Sequence, residues 1–256
     1  MCFDLDSHPP IAPIAGGALD SGRLVLRAAD GTEFAAFRAR AGEPSGAGIV
    51  VLPDVRGLHP YYEELALRFA EHGIDAVAID FFGRTAADEP RGEGFDHLAH
   101  AGRTTFDGLT ADVRAAAAFL RSPEGGAVRS LFTVGFCFGG RLSFLCSTVG
   151  LETAGVIGFY GWPVGPSRND TPAPADVAPV MSGAVLGIFG GADQGIPASA
   201  VEQFEDALEA AGVEHTVTTY PDAPHSFFDR KADEFAAASE DAWARVMGFI
   251  ADHTAG

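Results

Sequence analysis

The chain has 256 residues, 47% of them hydrophobic, and a formal net charge of −18. That length and apolar share allow a large core, and the acidic balance excludes nucleic acid and anionic membrane surfaces as partners, because like charges repel. The three cysteines, at positions 2, 137 and 146, form no disulfide framework and suit a reducing compartment.

The first residues, MCFDLDSHPP, carry acids and prolines instead of a basic stretch followed by an apolar one, so no signal peptide is expected. No apolar run is long enough to cross a bilayer, and the expected location is cytoplasmic. Residues 1–20 read as a Pro/Gly-rich N-terminal arm. Two alternating segments, Arg23 to Ala28 and Glu33 to Arg40, flank the turn ADGT and predict a hairpin. GIVVLPD (48–54) is a buried strand, and YYEELALRFAEHG (61–73) is an amphipathic helix ended by Gly73. IDAVAID (74–80) is the next strand, and residues 107–122 form a helix with an Ala-rich face. LFTVGF (131–136) is a strand, followed by a buried helix in GGRLSFLCSTVG. Residues 154–161, 184–191 and 214–220 are further strands, with helices over Pro197 to Ala211 and Asp233 to Asp252.

Apolar strands alternating with helices predict an α/β protein, with a mostly parallel central sheet covered by helices on both faces. The alternation runs from about residue 48 to the end, so one α/β domain is expected over 1–256. Two irregular segments, Arg84 to Phe106 and Pro163 to Ser182, follow strand ends and so lie on the ligand side of such a sheet.

The stretch TVGFCFGGR places Cys137 between glycines at a strand-to-helix junction. Gly135-Phe136-Cys137-Phe138-Gly139 has the spacing of a nucleophile elbow, in which glycines let backbones pass closely around a strained apex residue. The helix behind the apex presents free N–H groups and a positive dipole end, which favours a thiolate. The alternative, a small buried hydrophobe, suits Cys146 on the apolar helix but not Cys137. An elbow further predicts an acid and then a histidine, each just past a later strand. Asp193 in GGADQGIP and His225 in PDAPHSFF satisfy that order. Asp222 is a rival acid, too near His225 in sequence to orient it. His97 and His100 share a loop with acids, but no third ligand is fixed and no metal is expected.

With GFCFGG, GGADQGIP, PHSFF and the block VVLPDVRGLHPYYEELALRFAEHGIDAVAIDFFGR, the chain resembles the dienelactone hydrolase family of α/β-hydrolases over roughly residues 20–253. The resemblance implies the α/β-hydrolase fold, hydrolysis of cyclic enol-lactones derived from ring-cleaved aromatic acids, and no cofactor. It matches Cys137 to the nucleophile, Asp193 to the acid and His225 to the base. Asp54 falls where the family has a glutamate that contacts the thiol, and Arg84 where an arginine holds the substrate carboxylate. A second family arginine, just after the histidine, is displaced: that offset holds Asp229, with Arg230 one residue on.

The implied mechanism is attack by the Cys137 thiolate, with the oxyanion held by the backbone N–H groups of Phe138 and Val55. A thioester forms, which water activated by His225 then cleaves. Phe82, Tyr160 and Trp162 are expected to line an apolar pocket, as aromatic residues at strand ends. The expected partner is a small lactone or ester, and the expected state a monomer or weak homo-oligomer. A broader carboxylesterase or thioesterase, favoured by the displaced arginine, and a redox-sensing thiol protein stay open as alternatives.

Overall fold

The computed structural model describes residues 7–86, 91–92, 94–229 and 231–255. An N-terminal hairpin, β1 (Ala18–Arg27) and β2 (Glu33–Ala41), turns through Asp30 and Gly31, as its sequence predicts. The later strands are β3 (Ala47–Leu52), β4 (Asp75–Ile79), β5 (Ser130–Phe136), β6 (Thr153–Phe159), β7 (Ala184–Gly190) and β8 (His215–Tyr220). They form one eight-stranded sheet in the order β1-β2-β4-β3-β5-β6-β7-β8. Only the β1–β2 and β2–β4 pairs are antiparallel. The parallel strands from β3 to β7 are buried along their whole length, with the single exception of Ala154, which is why they read as continuous apolar runs.

The helices are α1 (Pro60–Glu71), α2 (Gly83–Ala86), α3 (His97–Arg103), α4 (Phe106–Arg121), α5 (Phe138–Cys146), α6 (Ala198–Ala211) and α7 (Ala236–Asp252). Pro60 starts α1, and Gly73 (φ 86°) stands just past its last turn. Thr105 caps α4, its hydroxyl accepting the Gly108 N–H at 3.1 Å.

The two segments read as irregular hold short elements. Helix α3 and all of α2 but its first residue lie within residues 84–106, and a 3-10 helix spans Pro174–Val180. Each is a few turns at most, too short for an apolar period to show in sequence. The last helix starts at Ala236, three residues later than expected, because residues 231–235 are in turns. Among the described residues, no helix is long and apolar enough to cross a membrane.

The topology locates the cleft. The chain leaves β3 toward β4 in one direction across the sheet, then crosses back to β5 and continues the other way. Right-handed crossovers then put α1 on one face and α4 and α5 on the other. Packing agrees: Phe69 of α1 meets Trp243 of α7 at 4.9 Å between ring centroids, and Phe144 of α5 meets Phe204 of α6 at 4.8 Å. The reversal falls between β3 and β5, so their following loops diverge and leave a crevice at the strands' carboxyl ends.

Candidate active site

Cys137 stands at that switch point. It is the residue between β5 and α5, with φ 54° and ψ −110°, a backbone conformation that costs of order 1–3 kcal/mol for a side-chain-bearing residue. Its N–H donates to the Phe159 carbonyl at 3.0 Å and its carbonyl accepts from Arg141 N at 3.2 Å. The flanking glycines are required by close approach. A Cβ on Gly135 would lie 1.9 Å from the Gly139 carbonyl oxygen, and one on Gly139 only 2.2 Å from the carbonyl oxygens of Leu52 and Pro53. The start of α5 is thus pressed against the end of β3. Cys137 is partly exposed, whereas Cys146 is buried and burial pushes its thiol up to about 12. Cys2 lies outside the described residues.

The acid and histidine come together as expected. Asp193 Oδ2 accepts from His225 Nδ1 at 2.6 Å, while Oδ1 accepts the N–H groups of Gly195 (2.8 Å) and Ile196 (3.3 Å). The Asp193 side chain is 2% exposed and that of His225 32%, so the imidazole has one wet edge. The histidine joins the elbow through β6. Phe159 accepts the Cys137 N–H, and the next residue, Tyr160, packs its ring against His225 at 4.8 Å.

Asp54 is fully buried. Its Oδ1 accepts the Arg56 N–H at 2.8 Å and its own N–H donates to the Tyr62 hydroxyl at 3.0 Å, which shapes the loop carrying Val55. A second acid shapes the same loop and was not legible as a site residue. Asp80, at the end of β4, accepts the N–H groups of Leu58 and Phe82, each at 3.1 Å, and pairs with Arg91 at 2.7 Å. An acid placed just past a buried strand is the only hint of this in the sequence.

Arg84 is placed differently from the expected carboxylate clamp. Its guanidinium pairs with Asp112 of α4 at 2.8 Å and with Asp30 of the β1–β2 turn at 2.5 Å, and it also donates to Thr32. Burial works against the charge, but the hydrogen bonds it donates to Asp30 and Asp112 outweigh that and raise the pKa further. A residue so held ties three elements together. The aromatic expectations divide. Phe82 and Tyr160 are fully buried, Phe82 packing on Phe81 and Phe95 in the core. Trp162 is 39% exposed beside Gly195, at the rim of the Asp193 turn. Arg230 lies outside the described residues. Asp229 is buried and its carboxylate accepts from the Tyr160 hydroxyl at 3.0 Å. His100 stacks on Phe95 and contacts the Thr85 hydroxyl, and no group of three metal-ligating side chains occurs among the described residues.

Comparison with known proteins identifies the family and the fold. The family model described as "Dienelactone hydrolase family" matches residues 34–254. Two relatives carry the name "Putative carboxymethylenebutenolidase". One, from Salmonella typhimurium, is 28% identical over 95% of this chain and 93% of its own length. The other, from Escherichia coli K12, is 30% identical over 85% and 82%. A crystal structure described as "Putative Dienelactone Hydrolase from Klebsiella pneumoniae" superposes with a TM-score of 0.78 at 26% identity, covering 91% of this chain and 99% of that one.

Proposed function

Because the chain belongs to the dienelactone hydrolase family and is a hydrolase acting on carboxylic esters, we propose that it cleaves enol-lactones or similarly activated esters through Cys137, His225 and Asp193. The observation that carries this reading is the strained apex at Cys137, tied through Phe159 and Tyr160 to a histidine whose Nδ1 is held by a buried carboxylate. The Cys137 sulfur attacks the ester carbonyl, and the backbone N–H groups of Phe138 and Val55 stabilise the oxyanion. The carbonyl re-forms as the alkoxide or enolate leaves, and an enolate needs little acid assistance. A thioester to Cys137 remains. Water attacks its carbon while Nε2 of His225 takes a water proton. The C–S bond breaks, and the carboxylate product departs from a regenerated thiolate. Asp193 accepts from Nδ1–H, so the tautomer with a basic Nε2 is the one maintained.

One observation favours a second reading of the substrate. With Arg84 committed to Asp30 and Asp112, nothing supports its use as a clamp for a substrate carboxylate. A broader esterase acting on neutral esters fits that arrangement better than one selective for charged lactones. Trp162, exposed at the rim, suits contact with an apolar acyl or alcohol group.

The test is a pre-steady-state assay with p-nitrophenyl acetate and intact-mass detection of the acylated chain. A p-nitrophenolate burst with one acetyl group on Cys137 is expected, and Cys137→Ala should lose at least about 10³-fold in rate. A Cys137→Ala protein with undiminished hydrolysis would overturn the reading. Rates on a carboxylated enol-lactone and on its neutral methyl ester separate the two substrate classes.

A further inference from the structure

The Asp193 bond at Nδ1 fixes one point of the His225 imidazole, and the ring is 32% exposed, so what packs on its face bears on the orientation of its plane. The Tyr160 ring lies against it, 4.8 Å between centroids and tilted by 53°. Tyr160 is itself held in an unusual way. It is fully buried, and its φ of 38° is in the left-handed region, which a bulky residue occupies only where its surroundings over-determine it.

Those surroundings are identifiable. The Tyr160 N–H donates to the Ile188 carbonyl at 2.7 Å, and its hydroxyl donates to Asp229 Oδ2 at 3.0 Å. Asp229 stands four residues after His225, at the far end of the same turn, where Ser226 also has a positive φ of 65°. The Asp229 N–H donates back to the Ser226 carbonyl at 3.3 Å. From the opposite side, Tyr61 of α1 donates its hydroxyl to the Phe228 carbonyl at 2.8 Å. Burial, with Asp229 nearby, keeps the Tyr160 hydroxyl protonated far above the ordinary phenol range, so it remains a donor.

We propose that Tyr160 and Asp229 are positioning residues for His225, the hydroxyl–carboxylate bond locking both the ring that backs the imidazole and the turn that carries it. This inference rests on the reading of His225 as the base that activates water against the Cys137 thioester. Both act on the reaction through the imidazole. They hold the imidazole plane so that Nε2 faces the cleft, and they exclude water from the face opposite the acyl group.

The experiment is the same burst assay on Tyr160→Phe, Asp229→Asn and Asp229→Ala, with circular dichroism to establish folding. In Tyr160→Phe the burst should stay near one per chain, while the rate after the burst falls about tenfold, as expected for a base misplaced by a fraction of an ångström. Asp229→Asn keeps an acceptor oxygen and should stay within about twofold of the parent, whereas Asp229→Ala should match Tyr160→Phe. A purely structural role would not separate burst from steady state in this way. A parent-like rate after the burst in folded Tyr160→Phe overturns the inference, and so do equal losses in Asp229→Asn and Asp229→Ala. If Tyr160→Phe fails to fold, the two Asp229 variants decide alone. A parent chain with no burst overturns the cysteine reading and this inference together; a parent burst with unchanged variants overturns only this inference.

Discussion

Asp193 and His225 meet through a single 2.6 Å hydrogen bond, while the other Asp193 oxygen closes its own loop on the N–H groups of Gly195 and Ile196. One carboxylate therefore both orients the histidine and shapes the turn that presents it. A carboxylate only accepts, so His225 must carry its proton on Nδ1.

Asp193→Asn should separate those two tasks. The amide oxygen can still accept from Gly195 and Ile196, so the thermal midpoint should move little. The amide nitrogen presented to Nδ1 favours the wrong tautomer, and the rate on p-nitrophenyl esters should fall by about 10²–10⁴-fold. An unchanged rate would show that Asp193 does not orient the base.

Cys137→Gly should stabilise the protein and inactivate it. Glycine occupies φ 54° without the cost that cysteine meets there, so a gain of up to about 1–2 kcal/mol is expected in denaturant unfolding. A variant less stable than the parent would show that the elbow is not strained by its side chain.

Arg84→Ala should damage stability more than substrate binding. It leaves the Asp112 carboxylate, whose side chain is 1% exposed, without its guanidinium partner. Arg84 keeps some solvent contact, so the loss should be about 2–4 kcal/mol, below that of a fully buried pair. KM for charged and neutral esters should change alike. Arg84→Ala combined with Asp112→Asn should recover part of the stability. A selective rise in KM for charged esters would restore the clamp.

Acid should destabilise the fold partly through His59. Burial is the first cause that lowers its pKa, to about 4, with Arg56 adding to it. The unfolded chain takes up this proton near pH 6.5 and the folded chain only near pH 4. The unfolded state therefore binds more protons between those values, and stability falls as pH falls through that window. The contribution is of order 3 kcal/mol at most. His59→Gln should flatten the decline between pH 6.5 and 4 in denaturant melts, and an unchanged slope would remove His59 as its source.

The strands, the elbow and the order Cys137, Asp193, His225 were legible because each is written in neighbouring residues. A buried parallel strand is a short apolar run, and a sharp strand-to-helix turn needs Gly135 and Gly139 beside its apex. Side-chain destinations were not legible. Arg84 carries the same letters around it whether it faces a cleft or Asp112, which is 28 positions away. The bond from Tyr160 to Asp229 spans 69 positions, and the service of Asp80 to the Leu58 loop spans 22. Local periodicity and backbone sterics act over a few residues, so they pass directly into sequence. Hydrogen-bond and ion-pair partners are chosen by which strand ends the sheet order brings together, and that choice exists only once the chain has packed.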